Sequence, residues 1–342
     1  MRRLLANIRR HDVEGAVRVA AAVGLPLLAL DAIGRLDLAV YAAFGGLAML
    51  YGHGEPAKQR VETQIVAGVG LVATMAVAMA WSAAQAPVAV LSLLLAVTVI
   101  AAATLGAAMR WVPRGEMFFV LVLLIIADVP TSWDRLPLCI AVGAGGAALS
   151  VLLAALNRIG APEDEPAPVG WRRRAASGYA ELDRGQHLVL IIAATIGVLA
   201  AWLLALALGV GNPFWAATTV AALMPALAAA DVWRRTVHLM LGTLGGVGVA
   251  TLLFSFDPGH LALIAIIIVC QAAAEIAVSR NYGVALLFFS PLAIGMSNLS
   301  RGAPWQPLLL DRLVEAAIGT AAAFIVILVG RRILARIRAK IG

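Results

Sequence analysis

The run PVAVLSLLLAVTVIAAATLGAA, residues 87–108, carries no charged side chain, and roughly 20 apolar residues are enough for a helix to cross a bilayer. It is one of about a dozen such stretches, at 14–31, 38–51, 62–84, 87–108, 116–129, 136–156, 187–208, 214–229, 236–256, 260–278, 283–297 and 312–329. Hydrophobic residues make up 62% of the 342 positions and charged residues only 13%, a balance that a water-soluble core does not need. The chain therefore reads as an all-α integral membrane protein of about twelve transmembrane helices. Strand barrels are disfavoured, because their segments alternate in polarity and are nearer 10 residues long. The stretches 38–51 and 116–129 fall short of a full crossing and are expected either to extend through polar flanks or to end where protein or water satisfies the backbone.

Lys and Arg between the stretches set an orientation, since they are retained preferentially on the cytoplasmic side. The first tail holds Arg2, Arg3, Arg9 and Arg10, and the last holds Arg331, Arg332, Arg336, Arg338 and Lys340. Even-numbered loops carry Lys58, Arg60, Arg110, Arg114, Arg172 to Arg174, Arg234, Arg235 and Arg280, against only Arg35, Arg135, Arg301 and Arg312 in the odd-numbered loops and helix ends. Both termini are thus expected in the cytoplasm. The net charge of +7 is absorbed by this pattern and by anionic lipid headgroups; no folded basic domain is present to hold nucleic acid. A cleavable secretory pattern is not expected at the start. Cys139 and Cys270 stand singly inside apolar stretches and predict neither a disulfide framework nor a metal site.

The stretches divide into two matching sets of six. With Tyr41 beside Trp215, Tyr41-Ala42-Ala43 matches Trp215-Ala216-Ala217, Arg60 meets Arg234 and Gly68 meets Gly242, without a gap. Farther on, the Arg110 loop corresponds to the Arg280 loop and Asp134-Arg135 to Asp311-Arg312. Six crossings return the chain to its starting side, so the expectation is two parallel six-helix repeats, 1–157 and 187–342, related by an axis along the membrane normal. Between them, 158–186 reads as a cytoplasmic linker: Ala161-Pro162-Glu163-Asp164-Glu165-Pro166-Ala167-Pro168 is acidic and proline-rich, and Trp171 with three arginines follows. Gly242 and Gly246, four apart, share a helix face, as do Gly319 and Ala323; with Gly68, these glycines are candidates for close helix packing.

Polar residues inside apolar stretches are the candidate functional groups, because an unpaired charge in hydrocarbon costs at least about 2.5 kcal/mol. Gln271 and Glu275 share a face, with Arg280, Asn281 and Tyr282 just beyond. Glu275 is read either as a proton carrier or as a fixed partner of Arg280 or another basic residue. Asp231 and Arg235 form an i,i+4 pair, and His238 lies one turn from Arg235, suited to bridging helices or to titrating with occupancy. Arg312 and Glu315 are expected to pair structurally at the outer end of the last stretch.

Asn212-Pro213-Phe214-Trp215-Ala216-Ala217-Thr218-Thr219-Val220, then Arg234-Arg235 and Gly242-Thr243-Leu244-Gly245-Gly246, resembles the first signature region of the fusaric-acid-resistance-like, or aromatic acid exporter, superfamily. Ser279-Arg280-Asn281-Tyr282-Gly283-Val284-Ala285 resembles its companion signature, and Arg312, Glu315, Gly319 and Thr320 resemble the start of the family's final span. These motifs cover about 110 residues. Leu239 departs from the pattern, standing where the family usually has arginine.

The resemblance implies export of small, often aromatic, carboxylated compounds across a bacterial inner membrane, with a proton gradient as the candidate energy source. Trp215, Tyr282 and Phe214 would offer ring contacts and Arg235 or Arg280 would attract a carboxylate. The solute and translocation candidates are accordingly Trp215, Arg235, His238, Gln271, Glu275, Arg280, Asn281 and Tyr282. An anion channel and a membrane scaffold for envelope biogenesis stand as alternatives. No nucleophile elbow, zinc-binding histidine pair or acidic metal cluster points to enzyme chemistry, so no cofactor or metal is expected. Membrane lipids and a small organic anion are the expected partners, and self-association into a homo-oligomer is left open.

Overall fold

In a computed structural model, the chain is described over residues 10–112, 115–158, 168–227, 232–278, 280–302 and 304–341. Every apolar stretch forms a helix. They are α1 (Arg10–Ala32), α2 (Ala39–Gly46), α3 (Ala57–Ala83), α4 (Val88–Ala108), α5 (Met117–Ala127) and α6 (Leu136–Arg158), then a linker helix α7 (Trp171–Glu181). The second half gives α8 (Arg184–Ala207), α9 (Phe214–Leu223), α10 (Val232–Phe254), α11 (His260–Val278), α12 (Tyr282–Arg301) and α13 (Trp305–Ile341). Short 3-10 turns, Leu47–Leu50 and Met224–Leu227, continue α2 and α9.

Nine of the described helices are long and apolar enough to cross a membrane. The 21 residues of α4 make about 31 Å of helix, close to the roughly 30 Å of hydrocarbon in a bilayer. Large apolar side chains remain exposed along their outer faces, among them Leu93, Ile100, Ile196, Leu252 and Ile325. In water so much bare apolar surface would drive aggregation; in lipid it is the solvated face. The protein is an all-α, multi-pass integral membrane protein.

Three helices are short: α2 with its 3-10 turn, α5, and α9. They are also the most enclosed. All eight residues of α2 and all ten of α9 are buried, as are nine of the eleven in α5. A short helix exposes terminal backbone groups at membrane depth, and these are tolerated only where protein or water satisfies them. Packing supplies that sheath: α2 lies against α1 and α6, α9 against α8 and α13, and α5 touches α9.

The packing partners of the two halves run in parallel. Contacts α3–α6, α2–α6 and α3–α5 have counterparts in α10–α13, α9–α13 and α10–α12. Between the halves, α1 packs on α11 and α4 on α8. The linker helix caps one end of the bundle, where the Trp171 N–H donates to Glu62 Oε1 at 2.6 Å and Arg174 pairs with Glu55 at 3.2 Å.

Close helix approach depends on missing side chains. A methyl group at Gly242 would strike the Gly283 carbonyl oxygen, one at Gly246 the Leu286 carbonyl oxygen, and one at Gly319 the Ala216 carbonyl oxygen. Gly68 is roomier, with Ala147 Cβ 3.2 Å from the position a methyl would take. Backbone cannot step aside as a flexible side chain can, so G242A and G319A are expected to cost about 1–3 kcal/mol of stability. Gly248, with no atom within 4 Å of such a methyl, serves as the control, and G248A should leave the thermal midpoint in detergent within about a degree or two of wild type. Equal midpoints for all three variants would contradict this account of the packing.

Candidate functional site

The three short helices do not fill the bundle. They leave a cavity of about 770 Å³, closed on the first-half side by Phe44 and Leu47 near the end of α2 and by Phe118 and Leu121 of α5. The opposite wall comes from Trp215, Thr218 and Thr219 of α9, with Leu286, Phe289 and Met296 of α12. A volume of this order suits a small organic molecule, and the lining is mainly apolar with a few polar groups, the usual composition of such a site.

The sequence candidates converge here. Trp215, Arg235, His238, Gln271, Glu275, Arg280, Asn281 and Tyr282 all line this one cavity, although they come from four helices and a loop. Phe214 does not line it; its ring is buried and packs 5.1 Å from that of Trp215. Asp231, the expected partner of Arg235, and Ser279 lie outside the described residues.

Most polar groups gather towards the end that carries the linker. Glu275 does not pair with Arg280. Its Oε1 lies 3.5 Å from His53 Nδ1, reaching across from α11 to the loop after α2, while Arg280 pairs with Asp12 of α1 and donates from Nη1 to the Ile276 carbonyl at 2.7 Å. Both pairs therefore tie the two halves together beside the cavity. Asn281 caps α12: its side-chain oxygen accepts from the N–H groups of Gly283 at 3.0 Å and Val284 at 3.3 Å, satisfying donors that a helix start leaves free. That cap fixes the first helical residue, Tyr282, whose ring lies 5.2 Å under the Arg235 guanidinium.

Arg312 and Glu315, expected to pair, lie within electrostatic reach of each other but form no direct ion pair. Glu315 turns instead to the start of α9, where its Oε1 accepts from the Asn212 N–H at 2.9 Å. The Asn212 side chain donates to Asp311 at 2.8 Å, so both acidic neighbours of Arg312 are directed at this one turn. Arg312, 7% exposed, stacks over the Trp215 ring at 4.2 Å and lines the cavity. Its Nε has no hydrogen-bond partner, and among the described residues no carboxylate stands within ion-pair distance. Cation–π stacking is worth about 2 kcal/mol when desolvated. Burying an ion costs several kcal/mol, so the stack alone leaves this charge undercompensated. The sequence reading assigned Arg312 to structure because an acidic residue stood three positions away; the visible signal was an arginine within an apolar run.

Among the described residues no group of His, Cys, Asp and Glu is arranged to hold a metal ion, and Cys139 and Cys270 are free and buried. What this arrangement can do chemically is hold an amphipathic anion: rings and aliphatic groups face an apolar body, and guanidinium groups face a charge.

Comparison with known proteins finds similarity to membrane proteins, the family match lying in the second half. Residues 189–326 match the family described as fusaric acid resistance protein-like. A stretch of 135 residues is 29% identical to an uncharacterized membrane protein, YvaC, of Bacillus subtilis (strain 168). That match covers 39% of this chain and 21% of the relative, so the chain spans about a fifth of the relative's length. No solved structure matches.

His53 lies in a loop outside the apolar spans, and its pKa is raised above 6.5, chiefly by the hydrogen bond to Glu275 and further by the carboxylate charge; burial and Arg60 oppose this. A raised histidine stabilises the folded state fully below its unfolded pKa and ceases to do so as pH rises through the folded value. The stability lost in H53Q should accordingly be largest near about pH 5.5 and shrink by about pH 8, staying below about 1 kcal/mol because solvent screens a side chain that is 40% exposed. Thermal midpoints of both proteins across that range check it; a gap that widens with rising pH would contradict the pairing.

Proposed function

We propose that this chain is a secondary transporter that moves small organic anions, aromatic carboxylates foremost, out of a bacterial cell through the cavity. The observation that carries the reading is the convergence of Trp215, Arg235, His238, Gln271, Glu275, Arg280, Asn281 and Tyr282 on a single mainly apolar chamber. The fusaric-acid-resistance-like domain in residues 189–326 supports a transport role. The twelve apolar helices are read as two parallel six-helix repeats in the inner membrane, with the linker and both termini cytoplasmic; the matching helix contacts and the loop arginines support this arrangement.

In this mechanism the rings of Tyr282 and Trp215 receive the apolar body of the solute, while Arg235 and Arg280 supply a positive field for its carboxylate. Glu275 carries the coupling proton. Protonating it removes the charge facing His53 and so loosens a contact between the halves, which links proton occupancy to access. Gln271, one turn earlier on α11, positions that carboxyl. The cationic lining is also what an anion channel would use, and flux measurements separate the two readings.

Reconstituted into liposomes, the wild-type protein is expected to give saturable benzoate flux that accelerates with an imposed proton gradient. E275Q keeps the size and much of the hydrogen-bonding capacity of the side chain, and it should remain folded while losing the gradient response by at least about tenfold. A folded E275Q protein with unchanged pH-dependent rates would remove Glu275 from coupling. Current that follows the anion gradient without proton exchange would favour the channel.

A further inference from the structure

The two halves treat one arginine differently, and the difference is a natural control. With Tyr41 beside Trp215, Asp37 corresponds to Gly211 by counting back without a gap, and farther along, after a small difference in length, Arg135 corresponds to Arg312. Arg135 is half exposed and held by Asp37, with Nη2 to Oδ2 at 2.6 Å, and Arg35 flanks the same carboxylate at 2.9 Å. In the second half the carboxylate is missing. Gly211 offers no side chain, and the place a Cβ would take there is filled by the Asp311 carboxyl group. Asp311 and Glu315, the two acids nearest Arg312 in sequence, are both engaged by Asn212. Arg312 is thus left buried, stacked on Trp215 and lining the cavity, with no carboxylate within ion-pair distance among the described residues.

We propose that Arg312 is the oxyanion anchor of the cavity, where a carboxylate brought by the solute takes the role that Asp37 plays for Arg135. The guanidinium is already oriented by its stack on Trp215, and its planar fork suits two-point contact with a carboxylate. Trp215 then acts on both groups: its ring holds the cation, and the residue borders the chamber in which the solute's apolar part lies. Arg235, stacked on Tyr282, adds a second positive field to the cavity. This inference rests on the cavity being the solute site, and it adds which residue fixes the charged end there.

The test is benzoate binding to the full-length protein in lipid nanodiscs, with benzamide as the neutral isostere. Wild type is expected to bind benzoate, and R312Q to weaken it at least tenfold with benzamide binding unaltered. R312K, which keeps the charge but loses the fork, should fall between. Y282L reports on the cavity reading separately: benzoate binding lost in Y282L but unchanged in folded R312Q would overturn the anchor while leaving the cavity intact. Failure of wild type to bind benzoate, with benzamide bound or not, would overturn the anchor. Should R312Q not fold, wild type alone decides. Benzoate, but not benzamide, should alter tryptophan emission through the Arg312 stack, and W215F should abolish the change; an identical response to both ligands would overturn the proposal.

Discussion

Backbone groups at membrane depth must find partners inside the protein, and the short helices α2, α5 and α9 are where this fold meets that requirement. A helix of ten residues, such as α9, covers about 15 Å and cannot carry its unpaired ends out to water on both sides of the hydrocarbon. The ends are therefore enclosed. At the start of α9 the Asn212 N–H finds the Glu315 carboxyl group, an acceptor delivered from α13. Long helices take the lipid-facing positions, short ones the interior. Because the short helices are too slight to fill the interior, a chamber remains between them, and its walls inherit whatever side chains the short helices carry.

Charge inside the bundle follows from the same economy of partners. Asp12 with Arg280 and Glu275 with His53 are contacts between halves, each joining an element of the first to one of the second. Such pairs cost desolvation and return specificity of position, and a pair containing histidine is also open to titration near neutral pH. Arg312 has no carboxylate within ion-pair distance among the described residues, and Asn212 contributes to this by binding one oxygen each of Asp311 and Glu315. Stabilising a helix start and leaving a cation available are two outcomes of one turn, Gly211-Asn212-Pro213.

Much of this was legible in the sequence. Each of the twelve apolar stretches is a helix, because apolar length and polar breaks are local properties that tertiary contacts rarely override in lipid. The gathering of Glu275, Arg280 and Tyr282 at one site was legible from their proximity at the end of one helix and the start of the next. The pairing was not. Glu275 meets His53 and Arg280 meets Asp12, partners more than two hundred residues away, and no local spacing rule such as i,i+3 or i,i+4 reports on them. The same rule misled at Arg312 and Glu315, where a three-residue separation permits a pair but a competing donor at Asn212 takes the acid. The first-half wall of the cavity, Phe44, Leu47, Phe118 and Leu121, was invisible as well, since an apolar residue lining a chamber and one packed in a core look alike in sequence.

The central claim is that the space between the short helices is a solute path, reached from the cytoplasmic side in the proposed orientation. Single cysteines at Ala293 and Met296 of α12, in a background with Cys139 and Cys270 changed to alanine, test it most directly with a membrane-impermeant thiol reagent. In everted vesicles, with the cytoplasmic face outward, both positions should react, and benzoate should slow the reaction at least about fivefold. Positions that stay unreactive from that face, or that react at a rate benzoate leaves unchanged, would contradict the account.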